Sequence, residues 1–403
     1  KLQEAELSYR KAIEINPDFP DAYSNLGIIL RDLGKLKEAE TFTRKAIQLN
    51  PNFTNAYSNL GTILKDLGKL QEAELSTRKA IELNPNFANA YANLGNILRD
   101  FAKLKEAGTA YRKAIKLKPD LTDAYYNLGI ILEERGEREE AIKQYSFALG
   151  YQPDDIAYLI NSKLNLSPIM MSNKQIDTER NEYKKQLNTI KKNKNCFYQG
   201  QKLFNTSIFY FAYHNKSDDK IILEELANTL SNIKGISNNN FDIDGKTYLN
   251  SKNEIIKIGI CSEFFRESHT IGKLYTKVLI DLLKTDLEIT IYITPELQKK
   301  GEQDIIRKAF KRVIELPIST IEAQKVILND KLDVIFYPDI GMSTYTYILA
   351  LSRLALVQVT SLGHPNTSGI KNIDYFISND IVPHHPSSSY TERLIKFSRL
   401  PFN

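Results

Sequence analysis

The sequence predicts an α-solenoid of paired helices followed by an α/β domain built on a parallel sheet. Three observations predict it. Gly27, Gly61, Gly95 and Gly129 stand 34 residues apart, as do Pro17, Pro51, Pro85, Pro119 and Pro153, and a fixed period of that length marks stacked helix–turn–helix units. The period disappears after residue 155. From residue 254 onward, short runs rich in β-branched residues alternate with helical spacings, the texture of βαβ units.

Each repeat reads Ala-Tyr-x-Asn-Leu-Gly, a turn of the Gly-Lys-Leu kind, then Glu-Ala, Lys-Ala-Ile and Asn-Pro. Ala39, Ala73, Ala107 and Ala141 recur in phase, as do Ala46, Ala80, Ala114 and Ala148; side chains this small let the paired helices approach closely. The proline ends the second helix because it has no N–H and its ring clashes with the preceding turn. Tyr23, Tyr57, Tyr91 and Tyr125 recur too and are read as packing between helices. The pattern resembles the tetratricopeptide repeat. Lys1 falls inside the second helix of a unit, and residues 1–15 match 35–49 in phase without a partner helix. The chain is therefore expected to be a fragment whose first helix is its least stable element.

Residues 156–253 are read as helices bridging two domains and ending in a flexible loop. Apolar stretches at 207–213 and 221–230 supply the helices, and Asn-rich breaks at 237–240 and 242–246 supply the loop. In residues 254–403, strands are expected at 255–261, 287–293, 312–316, 332–337 and 355–361. Helices are expected at 271–283, 302–310, 318–328 and 345–353. The predicted domains are thus 1–155, 156–253 and 254–403. In open parallel sheets ligands gather outside the carboxyl ends of the strands, so the residues just after each strand carry the functional argument.

Composition narrows the classes. A chain that is 42% hydrophobic and 26% charged has the makeup of an ordinary globular protein. No apolar stretch approaches the roughly 18 residues of a membrane span. The net charge of +5, from 54 basic and 49 acidic residues, describes a mixed surface and not the clustered basic face of a nucleic-acid binder. The Lys/Asn-rich stretch 184–195 reads as a solvated helix end or linker. Cys196 and Cys261 offer neither a disulfide framework nor a metal spacing and suit reduced thiols in a cytoplasmic protein. His384 and His385 lie between Pro383 and Pro386 and read as a surface turn, so no metal is expected.

The chemistry-bearing residues follow the strands. After the first come Ser262-Glu263-Phe264-Phe265-Arg266-Glu267-Ser268-His269, and after the fourth Pro338-Asp339-Ile340-Gly341-Met342-Ser343. After the fifth come Gly363-His364-Pro365-Asn366-Thr367-Ser368-Gly369. This last loop offers hydroxyls, an imidazole and backbone N–H groups to a polar ligand, although the same residues build a plain turn. In the solenoid, Asn25, Asn59, Asn93 and Asn127 form a ladder two residues before each repeat glycine. An amide can bind both the C=O and the N–H of any peptide.

The run 356–369, continuing to Ile373-Asp374-Tyr375-Phe376, resembles the protein O-GlcNAc transferase family, which includes the SPINDLY-type O-fucosyltransferases. Residues 390–394, 257–266 and 211–214 resemble further segments of that family, in the same order. The resemblance implies a two-lobed GT-B glycosyltransferase of which this chain supplies the repeats and a Rossmann-like first lobe. It implies metal-free, inverting transfer of a sugar, GlcNAc from UDP-GlcNAc first of all, to Ser or Thr of acceptor proteins held along the repeats. The second lobe is absent, so the chain alone is expected to be inactive. His269 aligns with an active-site histidine, and an imidazole can take or steer a hydroxyl proton. Asp339, Gly363, His364, Pro365, Thr367, Ser368 and Gly369 are expected to line the cleft, with Thr367 and Ser368 as hydrogen-bond donors. His364 stands where many relatives carry Tyr, and Met342 replaces a histidine of the family's loop. Asp374 matches the family, yet suits a brace of the sheet. Asn25, Asn59, Asn93 and Asn127 are expected to hold the acceptor's backbone. Two alternatives remain open: a non-catalytic peptide-binding scaffold, and an O-fucosyl or N-glucosyl transferase on the same framework.

Overall fold

The computed structural model describes residues 2–200, 202, 204–214, 216, 219–237, 255–266, 268–300, 304–361, 367–379 and 387–398. The chain divides into two compact units, Lys1–Gln152 and Pro153–Asn403.

The first unit is an α-solenoid. Its helices are α1 (Leu2–Ile15), α2 (Pro20–Asp32), α3 (Leu36–Leu49), α4 (Thr54–Asp66), α5 (Leu70–Leu83), α6 (Ala88–Asp100), α7 (Leu104–Leu117), α8 (Thr122–Glu134) and α9 (Arg138–Tyr151). The in-phase alanines do what their size suggests: Ala39, Ala73, Ala107, Ala141, Ala46, Ala80, Ala114 and Ala148 are all fully buried. Leu26, Leu30 and Ile63 pack around Ala39, and Leu60, Leu64 and Ile97 around Ala73, so each repeat completes its core with the next. The first helices of successive repeats, α2, α4, α6 and α8, touch one another in series. The turn between the two helices of a repeat needs a left-handed residue. Gly34, Gly68 and Gly136 supply it at φ 76°, 75° and 77°, and Ala102 is forced to φ 58° at the same place.

Charges run along the second helices in a ladder. Glu6, Glu40 and Glu74 each accept from the arginine four residues on (Arg10, Arg44, Arg78) and from a lysine of the next repeat (Lys35, Lys69, Lys103). The same arginines reach forward to Glu38, Glu72 and Glu106.

The second unit opens with α10 (Ile156–Lys163), α11 (Asn173–Lys192), α12 (Ile208–His214) and α13 (Asp219–Ser231). The expected loop breaks at 237–240 and 242–246 fall almost wholly outside the described residues. There follow β1 (Lys257–Ser262), α14 (Thr270–Leu282), β2 (Glu288–Ile293), α15 (Pro295–Lys300), α16 (Asp304–Ala309) and β3 (Arg312–Glu315). Then come α17 (Thr320–Asn329), β4 (Leu332–Tyr337), α18 (Thr344–Ala350), β5 (Ala355–Ser361), β6 (Tyr375–Asn379) and β7 (Arg393–Phe397). All strands pair in parallel, in the order β3-β2-β1-β4-β5-β6-β7. The first six strands have the doubly wound Rossmann order, and the order of succession across the sheet reverses between β1 and β4. Five strands lie where expected. β6 and β7 were not foreseen as strands, because each is a five-residue piece beside a loop and β7 is exposed along nearly its whole length.

The Arg180 guanidinium sits in the helical part of this unit, 3% exposed. It donates to Asp219 Oδ1 at 2.6 Å, faces His214 Nδ1 at 3.4 Å and lies 4.9 Å over the Phe211 ring. This cluster pins α12 and the start of α13 to α11.

Candidate functional site

The carboxyl ends of β1 and β4 meet at the point where the strand order reverses, and polar side chains converge there. Ser262 ends β1 and Asp339 lies just beyond β4. Ser262 Oγ donates to Asp339 Oδ2 at 3.0 Å, and the Glu263 N–H donates to the same oxygen at 2.8 Å. Asp339 is fully buried, and its Oδ1 has no hydrogen-bond partner. Burial, opposed by the hydrogen bonds from Glu263 and Ser262, pushes its carboxyl up to about 7. The buried carboxyl therefore keeps its proton to a higher pH than an exposed aspartate does. Glu263 is half-buried, and its Oε2 accepts from Ser343 Oγ, so a second carboxylate stands at the mouth of the cradle. On the β5 side the Tyr275 and Ser361 hydroxyls are hydrogen-bonded to each other, which ties α14 to the end of β5.

A cavity of about 230 Å³ opens beside the β4 loop. Met342, Ser343 and Tyr347 form one wall and Ser207, Phe209 and Tyr210 another. Ser207 holds φ 55°, a left-handed conformation that costs a non-glycine residue on the order of 1 kcal/mol. Its N–H donates to Asn205 Oδ1 at 2.8 Å, and its Oγ accepts from the Leu166 N–H at 3.2 Å, which lock the strained residue in place. Strain of this kind tends to collect where a protein positions ligands.

The residues expected from sequence fare differently. His269 lies just before α14 at this edge. Its Nδ1 accepts from the Ile271 N–H at 3.2 Å, and its ring stacks on Phe264 at 4.5 Å. It is therefore the N-cap of α14, and with Nδ1 accepting, a neutral ring carries its proton on Nε2. Asp339 belongs to the cradle. Thr367 and Ser368 were expected to donate to a ligand, and the structure corrects this: they are 3% and 6% exposed, and both hydroxyls donate to the buried carboxylate of Glu392. The Ser368 N–H donates to Glu392 as well, and the Thr391 N–H donates to Thr367 Oγ1. Their donor capacity is consumed inside the fold. Gly369, expected to line the cleft, instead abuts the backbone of α13. A Cβ on it would lie 2.3 Å from the Leu223 carbonyl carbon, and its φ is 71°. Gly363, His364 and Pro365 lie outside the described residues, as do His384 and His385. Asp374 braces the sheet: it accepts from Arg353 Nη1 at 2.5 Å and from the Gln358 N–H at 2.8 Å. Glu263, Ser262 and Ser343 stood among the residues following the strands but were assigned no role. Their position directly after strands was the available signal, but their pairing spans 80 and 77 positions of chain.

The four asparagines lie on successive first helices, and part of their hydrogen-bonding capacity is already engaged. Asn59 Nδ2 donates to Ser24 Oγ and Asn93 Nδ2 to Ser58 Oγ, both at 3.0 Å, so each amide ties its helix to the previous first helix. The carbonyls of Asn59 and Asn93 make no hydrogen bond among the described residues, and Asn25 is exposed. Asn127 breaks the pattern because Ala92 replaces the serine. Its amide donates to Asn96 Oδ1 at 3.3 Å and its carbonyl accepts from Arg99 at 3.2 Å. Asn127 is thus the least free of the four to hold a peptide.

Among the described residues no group of acidic, His or Cys side chains could hold a metal ion, and no helix is long and apolar enough to cross a membrane. Cys196 and Cys261 are buried free thiols.

Families described as tetratricopeptide or TPR repeat match residues 20–53, 54–87, 77–109 and 122–155, and also 1–34 and 95–136. The first part of the chain is therefore a tetratricopeptide-repeat array. No curated protein matches the chain. Among solved structures, a variant of the Thermobaculum terrenum O-GlcNAc transferase is similar over 94% of this chain, at 17% identity and a TM-score of 0.42. The chain spans 57% of that transferase's length. MamA is similar over 38% of this chain and 89% of its own, at 29% identity and a TM-score of 0.34. YrrB, described as a TPR protein with an unusual peptide-binding site, is similar over 45% of this chain and 89% of its own, at 22% identity and a TM-score of 0.34.

Proposed function

We propose that this chain supplies the acceptor-holding solenoid and the first nucleotide-sugar lobe of a GT-B protein O-glycosyltransferase. The reaction is inverting, metal-free transfer of GlcNAc from UDP-GlcNAc to a Ser or Thr hydroxyl. The observation that carries this reading is the cradle of Ser262, Glu263, Asp339 and Ser343 at the strand-order reversal, beside a cavity on the same loop. In this reading the two carboxyl groups handle the acceptor proton, and the His269 Nε2–H orients the sugar or its phosphates. The free carbonyls of Asn59 and Asn93 hold the acceptor's backbone N–H groups.

A second reading, a peptide-binding scaffold without catalysis, draws on specific contacts. His269 is engaged as a helix cap, and Thr367 and Ser368 are engaged by Glu392. Incubation of the complete reading frame with UDP-GlcNAc, and separately with GDP-fucose, followed by mass spectrometry of acceptor proteins, decides between the two. Transfer of N-acetylhexosamine supports the enzyme. Peptide binding without transfer from either donor leaves the scaffold. His269→Asn is the informative variant, because Asn caps a helix as well as any residue but lacks the imidazole. Unchanged transfer in this variant removes His269 from the chemistry.

A further inference from the structure

The charge ladder of the solenoid stops at α7. Positions 6, 40 and 74 are glutamate, and the equivalent position in α7 is Gly108. Arg112, the counterpart of Arg10, Arg44 and Arg78, therefore has no carboxylate four residues before it. It is exposed and makes no ion pair among the described residues. Neighbouring positions change in the same sense. Lys105 stands where α5 has Gln71, and Lys116 where α3 and α5 have Gln48 and Glu82. Both are exposed and unpaired among the described residues. Within its bounds α7 carries Lys105, Arg112, Lys113 and Lys116 against the single Glu106, whereas α5 carries Arg78 and Lys79 against Glu72, Glu74 and Glu82.

Lys105, Arg112 and Lys116 are spaced i, i+7 and i+11, which places them on one helix face. At 1.5 Å per residue they span about 16 Å. Lys113 is held over the Tyr91 ring, 5.9 Å from its centroid, and flanks the row.

We propose that this face of α7 docks an acidic polypeptide segment. A row of three exposed cations with no ion pair among the described residues attracts carboxylates, and the Arg112 fork can take one of them bidentately. A strip about 16 Å long matches about five residues of extended chain. A single-stranded nucleic acid fits less well, because such strands need open aromatic platforms for their bases: Tyr111 of α7 is fully buried, and the partly buried Tyr91 ring has Lys113 over it. The surface lies on a second helix, apart from the asparagine ladder of the first helices, so it stands whatever the fate of the sugar-transfer reading.

The probe is a fluorescein-labelled peptide of alternating Glu and Gly, titrated into the full chain at low salt and followed by anisotropy. The triple variant Lys105→Glu, Arg112→Glu, Lys116→Glu should weaken binding about tenfold, the sum of a few exposed ion pairs. The triple Lys174→Glu, Lys185→Glu, Lys192→Glu on α11 makes the same change in net charge and should leave affinity unaltered. Gly108→Glu rebuilds the missing partner of Arg112. A Cβ there meets Arg112 Nη1 at 3.5 Å, Leu128 at 3.7 Å and Ile131 at 3.8 Å, all ordinary contacts, so the helix tolerates it. It should weaken the peptide about threefold, the effect of one surface pair. Absence of peptide binding, equal losses in both triples, unchanged binding in Gly108→Glu, or tighter binding of an oligothymidylate of equal charge would each overturn the proposal.

Discussion

The two units differ in where their charged groups are paired. The solenoid wears its charge outside: Glu6, Glu40 and Glu74 bridge exposed arginines and lysines, and the core beneath is alanine, leucine and isoleucine. The sheet-bearing unit, besides its surface pairs, buries charged groups in polar clusters: Arg180 with Asp219 and His214, Asp339 with Ser262, and Glu392 with Thr367 and Ser368. A repeat can be added or altered one layer at a time because its charges bond at the surface. A buried polar cluster must be satisfied all at once, and it specifies one arrangement of helices and loops.

The largest test of this difference is Asp219→Ala. It leaves the Arg180 guanidinium buried with its main counter-charge gone, and breaking a buried pair in this way costs about 3 to 5 kcal/mol. Urea unfolding followed by hydrogen exchange with mass spectrometry should show early opening of residues 153–403 and an undisturbed solenoid. Loss of protection throughout residues 1–152 would contradict the separation of the two units.

This asymmetry also explains what could be read in advance. The solenoid was legible because every layer repeats its own evidence: the buried alanines and the turn glycines recur at a single period. Five of the strands were legible as β-branched runs. The polar clusters were not, because Arg180 and Asp219 are 39 residues apart, Ser262 and Asp339 are 77 apart, and Thr367 and Glu392 are 25 apart. Nothing local marks such a pair. For the same reason Thr367 and Ser368 read as ligand donors: the carboxylate that occupies them comes from a distant strand end. The asparagine ladder was visible as a period, while its serine partners, and their loss at Ala92, became meaningful only once neighbouring first helices were seen side by side.

pH sharpens the comparison next. Burial, and secondarily the Arg180 charge, hold the His214 imidazole below its ordinary value; Lys216 acts in the same direction, and Glu179 opposes. As pH falls below about 6.5 the unfolded chain takes up a proton that the folded His214 refuses, so the second unit loses stability toward acid. Asp339 works in the opposite sense. Its folded value of about 7 lies above its ordinary 3.8, so its stabilising contribution is complete below the ordinary value and is lost as pH rises to about 7. Residues 1–152 contain no histidine, and the solenoid should be nearly flat between pH 5 and 8. His214→Gln should remove the acid-side loss, and Asp339→Asn the loss on approaching neutrality. A solenoid that tracks the second unit across this range would break the contrast.

Within the solenoid the perturbations should be small and local. Ala102 occupies the left-handed turn position that Gly34, Gly68 and Gly136 fill elsewhere. Ala102→Gly relieves the clash of Cβ with the following carbonyl at the cost of some unfolded-chain entropy, a net gain of about 1 kcal/mol. Gly68→Ala should lose about as much. Equal stabilities of the Ala102→Gly variant and the parent in urea titration would mean that the turn strain is relaxed by its neighbours.

The smallest expected effect is Glu74→Gln, and it tests the surface ladder directly. Glu74 accepts from Arg78 at 2.7 Å and from Lys103 at 3.1 Å, but both cations are well exposed. The two bonds to Glu74 share one carboxylate whose charge is screened by solvent, so its removal should cost about 0.5 kcal/mol. Near 1 M salt, where screening acts over about 3 Å, the difference should vanish. Asp219→Ala should keep most of its penalty in the same buffer, because salt does not reach a guanidinium that is 3% exposed. A Glu74→Gln penalty that persisted at high salt would place the ladder with the buried clusters, and the surface pairs would then fix the pitch of the superhelix instead of decorating it.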